Sequence, residues 1–579
     1  MQTKHAVPRG EYPRPQMVRE NWMCLNGTWD FCIDNGLSGE ERGFAKMDAF
    51  DGKIIVPFCP ESKLSGVAHT DFMYGVWYTR SVNIPVQWLG GRRTILHIGA
   101  CDYITKVFVN GEEVGSHRGG YSSFAFEITK FLQEGENRIT IFAQDDTRSD
   151  SIPSGKQCSD YYSHGCSYTR TTGIWQTVWL ENVPASYIET IKMTPDVAAG
   201  ELMIELTTSQ AQGKTVKVQA SFNGKVVGET QRKIAWNSAN FALKLDELYL
   251  WDIENPQLYD IVFTMDEDKV ESYFGMREVV LKDNKTYLNG KCVFQRLILD
   301  QGFYPDGIYT APTDEELIND IKRSQALGYN GARLHEKVFE ARFLYHCDRL
   351  GYIVWGEYPN WGLDVSKESC YKAMLPEWLE IIKRDYNHPA LIGWCPLNET
   401  QVDIDPEFVR YLYNVTKTYD PTRQFIDNSG WYHIDGCYDM LDVHDYCGVP
   451  EEFKATYLPL IEGKPAKYRK SWTKGVATDA ESADICFVSE FGGARWVVDD
   501  TSGNNWGYGA QVKNVEEFLA RYKGVVDALL DNPKISAFCY TQLTDVEQEQ
   551  NGLYTYDRRC KFDAETIKAI TSRKAACEE

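Results

Sequence analysis

Leu391–Thr400, LIGWCPLNET, and Ile485–Gly493, ICFVSEFGG, decide how the rest of this chain is read. Each is an apolar run of strand length without polar alternation, ending on a polar tip that carries a glutamate: Glu399 in one, Glu490 in the other. Such runs suit parallel strands covered on both faces. A carboxylate at the C-terminal end of such a strand is where an eight-stranded α/β barrel keeps its chemistry. Two of them can work across one bond, as glycoside hydrolysis requires, one as acid and the other as nucleophile or base. Taken singly, either glutamate reads equally well as an ordinary loop-end carboxylate, so the surrounding chain has to separate the readings.

Outward from these stretches, residues 276–579 alternate strands with amphipathic helices, the pattern of a parallel α/β domain. Eight strand candidates stand out: KCVFQRLILD, YNGARLH, YIVWGEYP, LIGWCPLNE, RQFIDN, MLDVHDY, ICFVSEF and ISAFCYTQL. Between them lie helical stretches such as TDEELINDIKRSQALG, FEARFLYHCDRLG, PEWLEIIKRDYN, PEFVRYLYNVTKTYD and VEEFLARYKGVVDALLDN. TDEEL opens with a capping threonine and an acidic first turn, and ALGYN closes with glycine. Eight βα units predict a (β/α)8 TIM barrel. Glu399 then ends the fourth strand and Glu490 the seventh, on opposite sides of the barrel mouth.

The preceding residues are β-rich. Residues 1–182 carry short strands such as TILHIGA, NRITIFAQD and QTVWLENV, and Asn110-Gly111 between VFV and EEV predicts a tight hairpin. This density of strands without helices predicts a jelly roll or sandwich. Residues 183–275 contain ELMIELTTSQ, TVKVQASFNGKVV and YDIVFTMDED at the spacing of an immunoglobulin-like β-sandwich. Nothing chemical is apparent there, and the segment reads as a spacer.

LNGTWDF (Leu25–Phe31), GVWYTR (Gly75–Arg80), His97–Thr129 and TTGIWQTVWLE (Thr171–Glu181) resemble the N-terminal sugar-binding domain of glycoside hydrolase family 2, the β-galactosidase, β-glucuronidase and β-mannosidase family. LWDIENPQLYDI (Leu250–Ile261) and SYFGMREV (Ser272–Val279) extend the resemblance, as do PLNE and SEFG in the barrel. It implies Glu399 as general acid then base and Glu490 as nucleophile in a retaining reaction, with carboxyls roughly 5–5.5 Å apart. It also implies that Asn398 binds the sugar's 2-hydroxyl and that Tyr446, in DVHDY, bonds the nucleophile. His444 shares that tip and is a candidate sugar contact. Departures occur after the first two strands. In Gln295–Gly307 only Asp300 matches, at a position where some members have a sugar-contacting aspartate. In Gly331–Glu340 Arg333 matches, His335 falls one place early, and Glu336 occupies the usual histidine position. His335, Glu357 and Tyr540, all at strand tips, complete the candidate substrate contacts.

Glucuronidases of the family carry an Asn-x-Lys element after the eighth strand that grips the uronate. Asn551–Asp563 has no such triplet, although Arg558, Arg559 or Lys561 could substitute. The Glu-x-His element with which large β-galactosidases hold magnesium is absent from Gly356–Asp364, so no metal or cofactor is expected. The expectation is therefore a β-galactosidase-like enzyme for a galactose- or arabinose-type glycone. A β-hexuronidase of the same family is the alternative, and a non-catalytic carbohydrate-binding protein is the reading from another class.

The 83 acidic and 61 basic residues give a formal charge of −22, which argues against nucleic acid and anionic membranes as partners. No apolar run approaches the ~20 residues of a membrane span. The N-terminus shows no secretory h-region, so a cytoplasmic location is expected. The 16 cysteines lack CxxC spacing and read as reduced thiols. The expected partner is a carbohydrate substrate, and the resemblance leaves a homo-oligomer open.

Overall fold

The computed structural model describes residues 7–401, 403–473, 476–498 and 504–579. In the first domain a six-stranded antiparallel sheet faces a four-stranded one. Trp29, Val76, Tyr78, Leu96, Ile141 and Leu180 fill the layer between them. Asn110 and Gly111 take φ of 52° and 80° and join Ile104–Val109 to Glu112–Arg118, the turn that an Asn-Gly pair is suited to make. The second domain pairs a three-stranded sheet with a four-stranded one. In Glu201–Ser209, Leu202, Ile204 and Leu206 are buried and Met203 and Glu205 exposed, so period-2 alternation sets the inner face.

The third domain is the barrel. Its strands are β1 (Gln295–Asp300), β2 (Gly331–Leu334), β3 (Ile353–Glu357), β4 (Leu391–Cys395), β5 (Gln424–Phe425), β6 (Leu441–Asp445), β7 (Ile485–Gly492) and β8 (Ala537–Thr541). All eight match stretches marked in the sequence. They pair in parallel in the order β5-β4-β3-β2-β1-β8-β7-β6. Across the β5/β6 seam other bonds take over, with Ser429 Oγ donating to Asp442 Oδ2 at 2.7 Å and Asp439 N to Phe425 O at 2.8 Å. Inside the barrel, Trp355 Nε1 donates to Gln295 Oε1 at 2.7 Å, and the Gln295 amide reaches Gln424 at 3.1 Å.

The helices are α1 (Asp314–Ala326), α2 (Ala341–Leu350), α3 (Ser369–Asp385), α4 (Pro406–Tyr419), α5 (Pro450–Tyr457), α6 (Val515–Leu530) and α7 (Ala564–Thr571). Thr313 caps α1 by accepting from Glu316 N, and Gly351 ends α2 at φ 65°. The α3 helix departs from expectation. Pro376, which suits a first turn, lies in its interior and removes one helix bond. Cys370, Ala373 and Met374, buried ahead of it, supply the packing that extends the helix backward. Helices α5 and α7 and the antiparallel hairpin Ala466–Thr473/Val476–Ser482 were not among the expected elements.

Candidate active site

Glu490 lies on β7 and is 3% exposed. Arg333, pointing inward from β2, donates to it at 3.3 Å while also binding Glu357 Oε1 at 2.6 Å, Ser489 O at 2.8 Å and Asn398 Oδ1 at 3.2 Å. Tyr446 donates its hydroxyl proton to Glu490 Oε2 at 2.5 Å. His335 bonds Glu357 Oε2 at 2.9 Å through Nδ1 and stands 3.8 Å from Glu490 through Nε2. Burial alone would raise the Glu490 carboxyl, but His444, His335, Arg333 and Lys156 facing it outweigh that and hold it well below the usual carboxylate range. Glu490 is therefore ionised. Glu357 is also lowered: burial opposes this, and Arg333 and His335 overcome it.

Glu399 follows β4 with φ +47°, a left-handed backbone held by its N–H donating to Ser429 O at 3.0 Å. His444 Nδ1 lies 2.7 Å from Glu399 Oε1 and 3.5 Å from Glu490 Oε2, and its Nε2 lies 3.0 Å from Ser429 Oγ. His444 thus stands between the two carboxyls, in hydrogen-bond contact with Glu399 and close to Glu490. Single ligand atoms of Glu399, His444 and Glu490 lie within 4.8 Å of one another. That places the two carboxyls near the roughly 5–5.5 Å of a retaining pair and short of the roughly 6.5–9.5 Å of an inverting one. Among the described residues these three also form a group that could hold a metal ion, but Tyr446, Arg333 and the His444 contacts already supply the carboxylates with donors. Asn398 N donates to Asn360 Oδ1 at 2.7 Å, which aligns the tip, while its side-chain Nδ2 has no acceptor among the described residues.

The walls come from more than the barrel. Trp361 donates from its ring to Asn398 O at 3.2 Å and from its backbone to Glu336 Oε2 at 3.1 Å. Burial pushes the Glu336 carboxyl far up, against the pull of Lys156, and its Oε1 has no partner among the described residues. Lys156, from the first domain, stands 3.6 Å over the Trp361 ring. Tyr508 stacks on Tyr446 with centroids 3.4 Å apart. Beyond β8, Glu549 accepts from Tyr168 and from Asn551 Nδ2 at 2.9 Å, and burial pushes its carboxyl up to about 7.

The structure thus brings Asn398, Glu399, Glu490, Tyr446, His335, His444 and Glu357 together. Asp300 and Tyr540 are not with them. Strand parity is the reason: Gln295 faces the lumen on β1, so Asp300, five residues on, faces the helices. There its charge neighbours are Asp320, Arg558 and Lys337, with Cys347 and Tyr352 also close. On β8, Cys539 lies near Arg333 and Glu490 and Thr541 meets Tyr446 at 3.1 Å, so Tyr540 between them packs outward against Tyr522 of α6, centroids 5.0 Å apart. Lys156, Tyr508 and Glu549 line the candidate site without having been singled out from sequence, and Glu336, noted there only at the usual histidine position, joins them. The signal for Lys156 was available: residues 145–172 form a long stretch without strand periodicity, and such loops in compact domains are usually functional.

Family models for the glycosyl hydrolases family 2 sugar binding domain, the family 2 domain and the family 2 TIM barrel domain match residues 67–184, 186–277 and 279–459. A β-galactosidase of Thermoanaerobacterium thermosulfurigenes is 29% identical over 379 residues, 61% of this chain and 51% of its own length. A β-glucuronidase of Rattus norvegicus is 25% identical over 524 residues, 78% of each chain. The chain therefore spans about half the length of the first of these relatives. A solved structure of a β-glucuronidase from Ruminococcus gnavus in complex with D-glucuronic acid superposes with a TM-score of 0.79 at 18% identity, covering 97% of this chain and 100% of that one. At that identity the likeness speaks for the fold.

Proposed function

The chain belongs to glycosyl hydrolase family 2, and on that premise we propose that it is a retaining exo-β-glycosidase, with Glu490 as nucleophile and Glu399 as acid and then base. The observation that carries this reading is an ionised, buried Glu490 with a Glu399 oxygen within 4.8 Å of it. In the first step a Glu490 oxygen bonds to the anomeric carbon as the glycosidic bond breaks, and Glu399 gives its proton to the departing oxygen. In the second, Glu399 takes a proton from water, whose oxygen displaces Glu490 from the anomeric carbon. Arg333 and Tyr446 hold the Glu490 oxygens in place, and the free Asn398 amide is placed to meet a sugar hydroxyl as charge develops on the ring.

For the glycone, a hexuronide is the better supported reading, because β-glucuronidases stand among both the sequence relatives and the superposed structures. The galactose- or arabinose-type glycone expected from sequence is the second reading. A β-galactosidase relative and Glu549 and Asn551 beyond β8, where no Asn-x-Lys triplet stands, favour it. A panel of 4-nitrophenyl β-glycosides, covering glucuronide, galacturonide, galactopyranoside, galactofuranoside, arabinosides, glucoside, mannoside and fucoside, tests both. Turnover of one glycone by the wild type and none by Glu490→Ala is the expected result. Equal turnover by wild type and Glu490→Ala would overturn the mechanism, and silence of the wild type across the whole panel would leave the carbohydrate-binding protein as the better reading.

A further inference from the structure

Residues 150–169 of the first domain cross onto the barrel mouth, fastened at both ends. On the β3 side, Asp364 N donates to Asp150 O at 2.8 Å, and Ser154 N and Gly155 N both donate to Trp361 O, at 2.7 and 3.1 Å. On the β8 side, Thr169 N donates to Glu547 at 3.1 Å, Gln548 Nε2 donates to Gly165 O and Ser167 O at 2.9 Å each, and Tyr168 bonds Glu549. Lys156 lies between these anchors, 5% exposed, its ammonium over the Trp361 ring.

The cations around the mouth divide sharply by what they hold. Arg333 binds Glu357, Glu490, Asn398 and Ser489. Lys561, one candidate substitute for a uronate-gripping lysine, is tied to Asp545 at 2.6 Å and Trp496 O at 2.8 Å, and Arg558 to Tyr556 O and Phe303 O. Lys337 is tied to the carbonyls of Gly302 and Tyr309. Among the described residues the Lys156 ammonium has no hydrogen-bonded protein acceptor. Burial by itself would strip its proton, and nearby Cys166, Glu490, Glu336 and Glu399 outweigh that and keep it charged. A desolvated ammonium with unfilled donors, seated on the Trp361 ring that itself bonds Asn398 O, gains most from an anionic group on the substrate.

We propose that Lys156, delivered to the barrel mouth by the jelly-roll domain, is the specificity residue that binds the carboxylate of a hexuronide glycone. The assignment rests on the hexuronide reading above. It replaces a lysine after β8 with one from another domain, and it makes the first domain part of the substrate site.

The test compares Lys156→Met and Lys156→Arg with the wild type on 4-nitrophenyl β-glucuronide, β-galacturonide and their neutral glucoside and galactoside counterparts. The expected result is a fall of about 100-fold or more in kcat/KM for the preferred hexuronide in Lys156→Met, carried mainly by KM. Neutral glycosides should change less than about tenfold, and Lys156→Arg should recover part of the loss. In the Glu490→Gln background, free glucuronate or galacturonate should raise the melting temperature, and adding Lys156→Met should abolish that shift. A wild type that cleaves hexuronides but keeps its hexuronide-to-neutral ratio in Lys156→Met overturns the assignment alone, because the lysine would then act through Glu490 and not on substrate. A wild type inert on every hexuronide overturns the glycone reading and the assignment together.

Discussion

Arg333 is the residue on which the candidate site turns, because it holds Glu357, Glu490 and the Asn398 side chain at once from a fully buried position. Replacing it with methionine leaves Glu357 and Glu490 buried without their shared cation, a loss of about 3–5 kcal/mol of stability. The sign for pH follows. Glu490 is held below its ordinary range, so losing Arg333 raises it, and activity on the acid side, which needs the ionised nucleophile, is lost at a higher pH than in the wild type. Denaturant unfolding of Arg333→Met measures the first change and its kcat/KM–pH profile the second. Glu490→Ala should lower kcat by at least ~10⁴-fold while circular dichroism stays native. Tyr446→Phe should cost ~10–100-fold, the value of one bond to a charged oxygen. Glu399, Glu490, Asn398 and Tyr446 were legible in the sequence because short motifs carry them. Asp300 and Tyr540 were misplaced because a motif match says that a residue is at a strand tip, and only register says which way it points.

Strands and helices were more legible than side-chain directions. Runs such as LIGWC of β4 and ICFV at the start of β7 are unbroken and apolar, and burial on both faces is what writes such a run. The α3 helix was read short because its proline mimics a helix start, while its real beginning is set by contacts that sequence periodicity does not show. That helix has its own pH signature. Glu377 accepts from Tyr121 N at 2.7 Å, Ser122 N at 3.3 Å and Tyr358 OH at 2.9 Å, joining barrel to jelly roll, and burial pushes its carboxyl up to about 7. A carboxyl raised on folding stabilises fully below its unfolded value and loses that contribution as pH rises through about 7. Burial raises Glu61 to about 7 as well. The melting temperature should therefore fall from about pH 5 to about pH 8, and Glu377→Gln should flatten that slope. An unchanged slope would show that Glu377 titrates as it does when unfolded.

At the scale of the molecule, the three-domain order was readable from changes of periodicity, whereas the crossing of residues 150–169 onto the barrel was not, since no local pattern announces a contact between distant domains. Gly155 is a tight point of that crossing. With φ +54°, a Cβ there would stand 2.4 Å from Glu336 O and 2.9 Å from Pro359 Cβ. Gly155→Ala should lift the segment and lower kcat/KM by about tenfold or more while far-UV circular dichroism stays native. Wild-type kinetics in that variant would mean that the segment is not needed at the mouth. The same fastening bears on how such chains can diversify by recombination. A jelly roll exchanged between two relatives would bring its own roof for the other's barrel, so a crossover at the domain junction would transplant part of the active site along with the module. Substitutions around Trp361 and Glu549 would then have to follow those in residues 150–169, and the two ends of the chain would be inherited as a matched set.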